Sequence, residues 1–169
     1  MKTAGLLTLT LAACLINMGA GTLMNYSVSF YNNNYFNYGI ESDDNAAIIL
    51  RSIGDMNHYI DALLYSYKRD NARFPVDYFE TLEKDIRTFY SRFNENFFKD
   101  KTLIIALVDR GSGSLSFKLT DLIVKNEKLI ARIKRNSPQI QTMDYRLWVM
   151  MLEVNKNYFD GDSIEIKLI

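Results

Sequence analysis

The chain has 169 residues, of which 48% are hydrophobic, and this is enough for a single domain with one ordinary core. Its 20 basic and 20 acidic residues cancel, which excludes the strong net field that draws a protein to nucleic acid. The one cysteine excludes an internal disulfide and any metal site built from several thiolates. We predict no cofactor and no nucleic-acid partner.

The start of the chain has the pattern of an export signal. Lys2 is followed by an uncharged stretch over residues 4–24, which is just long enough to span a hydrocarbon core. Within it, residues 11–14 (LAAC) resemble a bacterial lipobox, in which the cysteine thiol receives a lipid. We predict a signal peptide or membrane anchor over residues 1–24 and lipidation of Cys14. Ordinary secretory cleavage near Gly19, an uncleaved anchor and a buried thiol in a cytosolic chain are the alternatives.

A strand and a loop are predicted after the leader. Tyr26, Val28 and Phe30 alternate with Ser27, Ser29 and Tyr31, the period of a strand with one buried face. Residues 32–39 (NNNYFNYG) have no period and consist of residues that favour turns, so we predict a loop with exposed aromatic side chains.

Two amphipathic helices are predicted next. Ser52 and Asp55 have the spacing of a capping box, and apolar residues then recur every three or four positions as far as Tyr67. A second stripe with the same spacing runs from Phe79 to Phe93. The charged residues between these apolar positions predict a solvated face on each helix.

From Thr102 onward the pattern is that of strands. Residues 103–108 are continuously apolar, residues 110–113 have the composition of a turn, and residues 115–120 alternate, which predicts a hairpin. A second turn at residues 126–127 and three later strands complete a meander of about five strands. We therefore predict an α+β fold, in which two N-terminal amphipathic helices pack on a C-terminal antiparallel sheet. Residues 25–169 form this single domain.

Few residues have the pattern of a reactive site. His58 is the only histidine and lies opposite the apolar stripe of its helix, so we predict a solvated side chain without a catalytic role. No spacing of metal ligands is present. Ser112 and Ser114 lie between two predicted strands, whereas a nucleophile elbow needs a strand and a helix, and a phosphate loop needs a lysine.

We therefore predict a flexible loop whose backbone amides are free to meet a partner. Basic residues cluster beside the second turn: Lys125, Lys128, Arg132, Lys134 and Arg135. Such a run is typical of a solvated sheet edge, and it also suits an acidic partner. The residues that we predict to bind a partner are Arg110, Gly111, Ser112, Gly113, Ser114, Arg132 and Lys134.

Residues 95–169 resemble a known family. Phe97 and Phe98, the glycine-serine turn at 111–114, Pro138 and the apolar residues 148–154 carry the resemblance. The pattern is similar to that of bacterial lipoproteins and secreted proteins that share a C-terminal domain with PrcB, the small lipoprotein of the dentilisin protease complex.

The resemblance implies a non-enzymatic envelope protein that docks on or stabilises a partner such as a protease, with the lipobox at Cys14. It brings no catalytic residues. Two alternatives remain open: a serine-dependent hydrolase that uses Ser112 or Ser114, and a structural envelope protein without a specific ligand.

Overall fold

The structure is a computed structural model, and it describes residues 26–32 and 47–169. The predictions on the leader with Cys14, and on nearly all of the loop at 32–39, lie outside the described residues. Within the described ranges, no helix is long and apolar enough to cross a membrane.

In the described part of the chain, two strands precede three helices, and five strands follow them. The strands are β1 Tyr26–Asn32, β2 Ala47–Leu50, β3 Lys101–Ser112, β4 Ser116–Lys125, β5 Lys128–Asn136, β6 Tyr145–Asn155 and β7 Ser163–Leu168. The helices are α1 Ile53–Asp70, α2 Val76–Tyr90 and α3 Glu95–Asp100.

These strands form two sheets that stack as separate layers. The first has the antiparallel order β1-β6-β3-β2, and the second has the order β4-β5-β7, in which β7 runs parallel to β5. Leu103 and Ile105 of β3 pack toward the helices, whereas Ile104 and Ala106 pack toward the second sheet. The first sheet is therefore the middle layer, with one core on each face.

The predicted fold class is wrong. The α+β prediction placed two helices before a single antiparallel sheet, but the helices lie in the middle of the chain and the strands form two sheets. β1 and β2 precede the helices and pair with β6 and β3. The apolar run at 103–108 shows the physical reason, because a strand covered on both faces is buried at every position.

The predicted hairpin around residues 110–113 is also wrong. β3 is an interior strand of the first sheet, between β2 and β6, so β4 crosses to the second layer and pairs with β5. The predicted turn between β4 and β5 is confirmed. Asn126 and Glu127 both have positive φ, 51° and 60°, as a two-residue turn between antiparallel strands requires.

The helix predictions depend on local signals, and the structure confirms both helices. Ser52 Oγ accepts a hydrogen bond from Asp55 N at 3.0 Å, and the Asp55 carboxylate accepts one from Ser52 N at 3.0 Å, which completes the capping box of α1. The second predicted stripe lies largely on α2. Phe97 and Phe98 form part of α3, a short helix that was not predicted from the sequence.

Thr102 offers a test of the middle layer. It is fully buried, and its hydroxyl has no hydrogen-bond partner among the described residues. Because an unpaired buried hydroxyl is unfavourable, we expect Thr102→Val to raise the free energy of unfolding by about 1 kcal/mol in urea denaturation. Thr120→Val is the control, since that hydroxyl donates to Arg132 O at 3.0 Å and its loss should not stabilise. A less stable Thr102→Val variant would contradict the prediction.

Candidate functional site

The predicted site segment, residues 110–114, lies where the chain crosses from the first sheet to the second. Gly111 and Ser112 still belong to β3 and pair with β6. Ser112 is buried, and its carbonyl oxygen accepts a hydrogen bond from Trp148 Nε1 at 3.1 Å. This part of the segment is therefore held by the sheet, which contradicts the predicted flexible loop.

The two serine hydroxyls of the segment bond to the loop between β5 and β6, residues 137–144. Ser112 Oγ lies 2.8 Å from Ser114 Oγ and 2.8 Å from Thr142 Oγ1. Thr142 N donates to Ser114 Oγ at 3.3 Å. The two contacts with Thr142 join residues about 30 positions apart, so no local pattern in the sequence could predict them.

Asp144 fixes the other side of this contact. Its carboxylate accepts hydrogen bonds from Gly113 N at 3.1 Å and from Arg146 Nε at 2.8 Å. A hydrogen bond from Thr142, followed by those from Arg146 and Gly113, lowers the pKa of Asp144 to about 2. A Cβ atom at position 113 would overlap this carboxylate, so a larger residue there would displace the Asp144 side chain.

The backbone amides of the segment are not free to meet a partner, which corrects the prediction. Gly113 N donates to Asp144, and Ser114 N donates to Ser112 Oγ at 3.2 Å. The segment is a fixed junction between the two sheets. Any contact with a partner must use groups other than these amides, such as the exposed side chain of Arg110.

Ser112 has no base beside it within the described ranges. Its hydroxyl contacts two other hydroxyls, and the Asp144 carboxylate nearby is ionised and bonded to Arg146. His58 lies on α1, in the helical layer, where it is exposed as predicted. A cavity of about 350 Å³ between α1 and β2 includes His58, but its other lining residues are mainly apolar.

The described residues contain no group of three or more His, Cys, Asp or Glu arranged to hold a metal ion.

The prediction that the basic residues lie on a sheet edge is wrong for β5. This strand is the central strand of the second sheet. Ala131 and Ile133 point between the two sheets and are fully buried. Because side chains alternate along a strand, Arg132 and Lys134 project from the outer face. An edge-protecting role therefore does not explain these cations.

The outer face of the second sheet, here called the basic face, collects charge from three strands. Its cations are Lys118, Lys125, Lys128, Arg132, Lys134 and Lys167, and its carboxylates are Asp121 and Glu165. Glu165 contacts Lys128 at 3.2 Å and Lys167 at 3.1 Å. The hydrogen bond from Lys167, followed by the one from Lys128, lowers the pKa of Glu165. Asp121 contacts Arg132 at 3.4 Å. The cations therefore outnumber the carboxylates.

Lys118 and Lys134 lie directly opposite each other on β4 and β5. Neither forms an ion pair with any described residue, and both are exposed. Like charges at directly opposed positions are unfavourable. Lys134 was predicted from the sequence but Lys118 and Lys167 were not, because only the strand register brings the three onto one face. Arg135 lies on the other side of β5 and pairs with Asp109 at 3.2 Å.

The residues that carry the family resemblance lie in different parts of the fold. Phe97 and Phe98 are in α3, residues 111–114 join the two sheets, and Trp148 is in β6. Comparison of the chain with models of known families, with curated proteins and with solved structures finds no match. The resemblance to the PrcB-like lipoproteins stays a prediction.

Proposed function

We propose that the protein is a non-enzymatic binding protein of the cell envelope, which docks on or stabilises a protein partner such as a protease. The basic face is the docking surface. The observation that carries the proposal is the opposed pair Lys118 and Lys134, which have no carboxylate partner among the described residues. This arrangement is unfavourable within the folded chain, and an acidic surface on a partner would neutralise it.

The chain as a whole has no net charge, so the excess of cations on the basic face is a local feature. A local positive field steers an acidic partner and fixes its orientation more than it adds affinity. The cations are exposed, so salt screens their attraction over about 10 Å at moderate ionic strength. The proposed complex should therefore weaken as salt is added.

A serine-dependent hydrolase is supported less well. Ser112 and Ser114 bond to each other and to Thr142, and nucleophilic catalysis needs a base within hydrogen-bond reach of the serine. We expect a serine-directed fluorophosphonate to leave the protein unlabelled. A structural envelope protein without a ligand would need no surface of excess charge.

The proposed location in the cell envelope depends on Cys14 and the leader. We expect metabolic labelling with palmitate to tag the protein, and Cys14→Ala to abolish the label. Globomycin, which blocks the lipoprotein signal peptidase, should cause the precursor to accumulate. A Cys14→Ala protein with unchanged mass and membrane attachment would rule out the lipid.

Lys118→Glu tests the docking surface. The new carboxylate would face Lys134, so an attractive pair replaces a repulsive one, and the free energy of unfolding should rise by roughly 0.2–1 kcal/mol. The same change should reduce the amount of partner recovered with the full chain from solubilised membranes.

Lys84→Glu is the matched control, since Lys84 is exposed on α2 and the change of charge is the same. Recovery should be unchanged in this variant. Equal loss in both variants would indicate an effect of net charge alone, and unchanged recovery in Lys118→Glu would contradict the proposal.

A further inference from the structure

The loop between β5 and β6, residues 137–144, presents two large apolar side chains to solvent. Ile140 is 88% exposed and Met143 is 104% exposed, the two highest values among the large apolar side chains of the described residues. They lie three positions apart in one loop. Apolar side chains that are left this exposed can contact a partner or a membrane.

The base of this loop is fixed to the rest of the fold. Thr142 bonds to both serines of the 110–114 segment, and Asp144 bonds to Gly113 and Arg146. The apolar side chains are therefore presented from an ordered support. Insertion of such a loop costs less conformational entropy than insertion of a free one.

The charges near the loop that have no ion-pair partner among the described residues, Lys118 and Lys134, are both positive. Residues 137–143 (SPQIQTM) carry no charge, and the carboxylate of Asp144 is already paired with Arg146. Asn136, just before the loop, pairs with Ser116 at the start of β4, which brings Lys118 and Lys134 to the same end of the second sheet. An occupant of this end therefore meets apolar side chains beside unpaired lysines.

We propose that the 137–144 loop inserts Ile140 and Met143 into the interface of an anionic lipid bilayer, while Lys118 and Lys134 contact the headgroups. Two projecting side chains need no shaped pocket in a fluid bilayer, whereas a protein partner would have to provide one. Apolar insertion beside cations is the usual basis of peripheral membrane binding. This inference goes beyond docking on a protein, because the surface contacted by the loop is lipid.

Lipid contact can be measured at chosen positions of the full chain. In a Cys14→Ser background, we would place a single fluorophore-labelled cysteine at Gln141, between the two apolar residues. Asn157 is the control just beyond the opposite end of β6, three positions after Val154, which pairs with Tyr26 at the start of β1. Val76 is the control on the helical layer. All three residues are exposed, and the leader is the same in each protein.

The probe is a vesicle of phosphatidylcholine with brominated acyl chains, with or without phosphatidylglycerol. We expect bromine to quench the label at 141 more strongly than those at 157 and 76, and only with the anionic lipid. Ile140→Asp should remove the quenching at 141. Lys134→Gln, which removes one cation, should weaken the docked state roughly fivefold, the usual effect of one cation near an anionic surface.

Stronger quenching at 157 than at 141 would show that the leader alone positions the domain, and it would overturn the proposal. Quenching at 141 that survives Ile140→Asp would overturn it as well. A label at 141 that is not quenched by either type of vesicle would also overturn the proposal. That result would favour a pocket on a protein partner as the binding site of Ile140 and Met143. None of these outcomes depends on the protein partner, so docking on that partner is tested separately.

Discussion

Truncation of Ile104 or Ile105 to alanine, one at a time, is expected to lower the free energy of unfolding by about 2–5 kcal/mol in each case. Both residues are fully buried, yet they face different cores. Ile105 packs among the helices and Ile104 packs against the second sheet. Urea denaturation of the two variants measures the loss on each side of the middle layer.

Because Ile104 and Ile105 are adjacent in one strand, the two truncations together distinguish a three-layer fold from a two-layer fold. In a single sheet covered on one face, one of two neighbouring residues would point to solvent and would tolerate truncation. The control pair lies on β5, where Ile133 is buried between the sheets and Ile130 lies on the half-buried outer face. Ile133→Ala should cost more than Ile130→Ala. A neutral result for either Ile104 or Ile105 would contradict the middle layer.

Stability is expected to fall in alkaline solution because of the buried tyrosines. Burial raises the pKa of Tyr59 to about 12, against about 10 in an unfolded chain. Burial, followed by the proximity of Tyr59, also raises the pKa of Tyr90. The folded chain thus keeps a proton that the unfolded chain loses, so the stabilising effect is complete below pH 10 and is lost as the pH rises to 12.

Tyr59 contributes about 2–3 kcal/mol to this loss of stability, because its pKa is about 12 in the folded chain and about 10 in the unfolded chain. Denaturant unfolding at several pH values between 9 and 12 measures the decline. Tyr59→Phe should make the decline smaller, whereas Tyr65→Phe, at a residue that is 69% exposed, should leave it unchanged. An identical decline in the wild type and in Tyr59→Phe would contradict the assignment.

The sequence predicted the elements that depend on neighbouring residues. The capping box of Ser52 and Asp55 spans four residues and fixes the start of α1 wherever the helix packs. The turn at Asn126 and Glu127 depends on two residues between alternating strands. Such signals need no knowledge of the rest of the fold, and the structure confirms them.

The arrangement of the strands could not be predicted in the same way. The period of two in β1 indicates a strand but does not say that its partner is β6, more than 110 positions later. β2 has only four residues, too few for a clear period. The continuous apolar run in β3 indicates a strand that is buried on both faces. A fold with helices on one face of a single sheet does not account for this burial, because the other face of the strand would be exposed to solvent.

The candidate site was predicted in part. Arg132 and Lys134 were identified because they are close in sequence, and the structure places both on the basic face. Lys118 and Lys167 lie on the same face only because of how β4 and β7 pair with β5, and the sequence does not show this pairing. Ser112 and Ser114 were expected to be in a flexible loop, and their bonds to Thr142 depend on tertiary packing.

Site-specific photo-crosslinking in living cells tests whether the basic face is a docking surface. The full chain would carry a photoreactive residue in place of Ile130, which lies on the same outer face of β5 as Lys134, or, as the control, in place of Lys84 on α2. We predict that one protein is captured at position 130 and not at position 84, and that Lys118→Glu reduces this product. Capture of the same proteins at both positions, or of none at position 130, would contradict docking through the basic face.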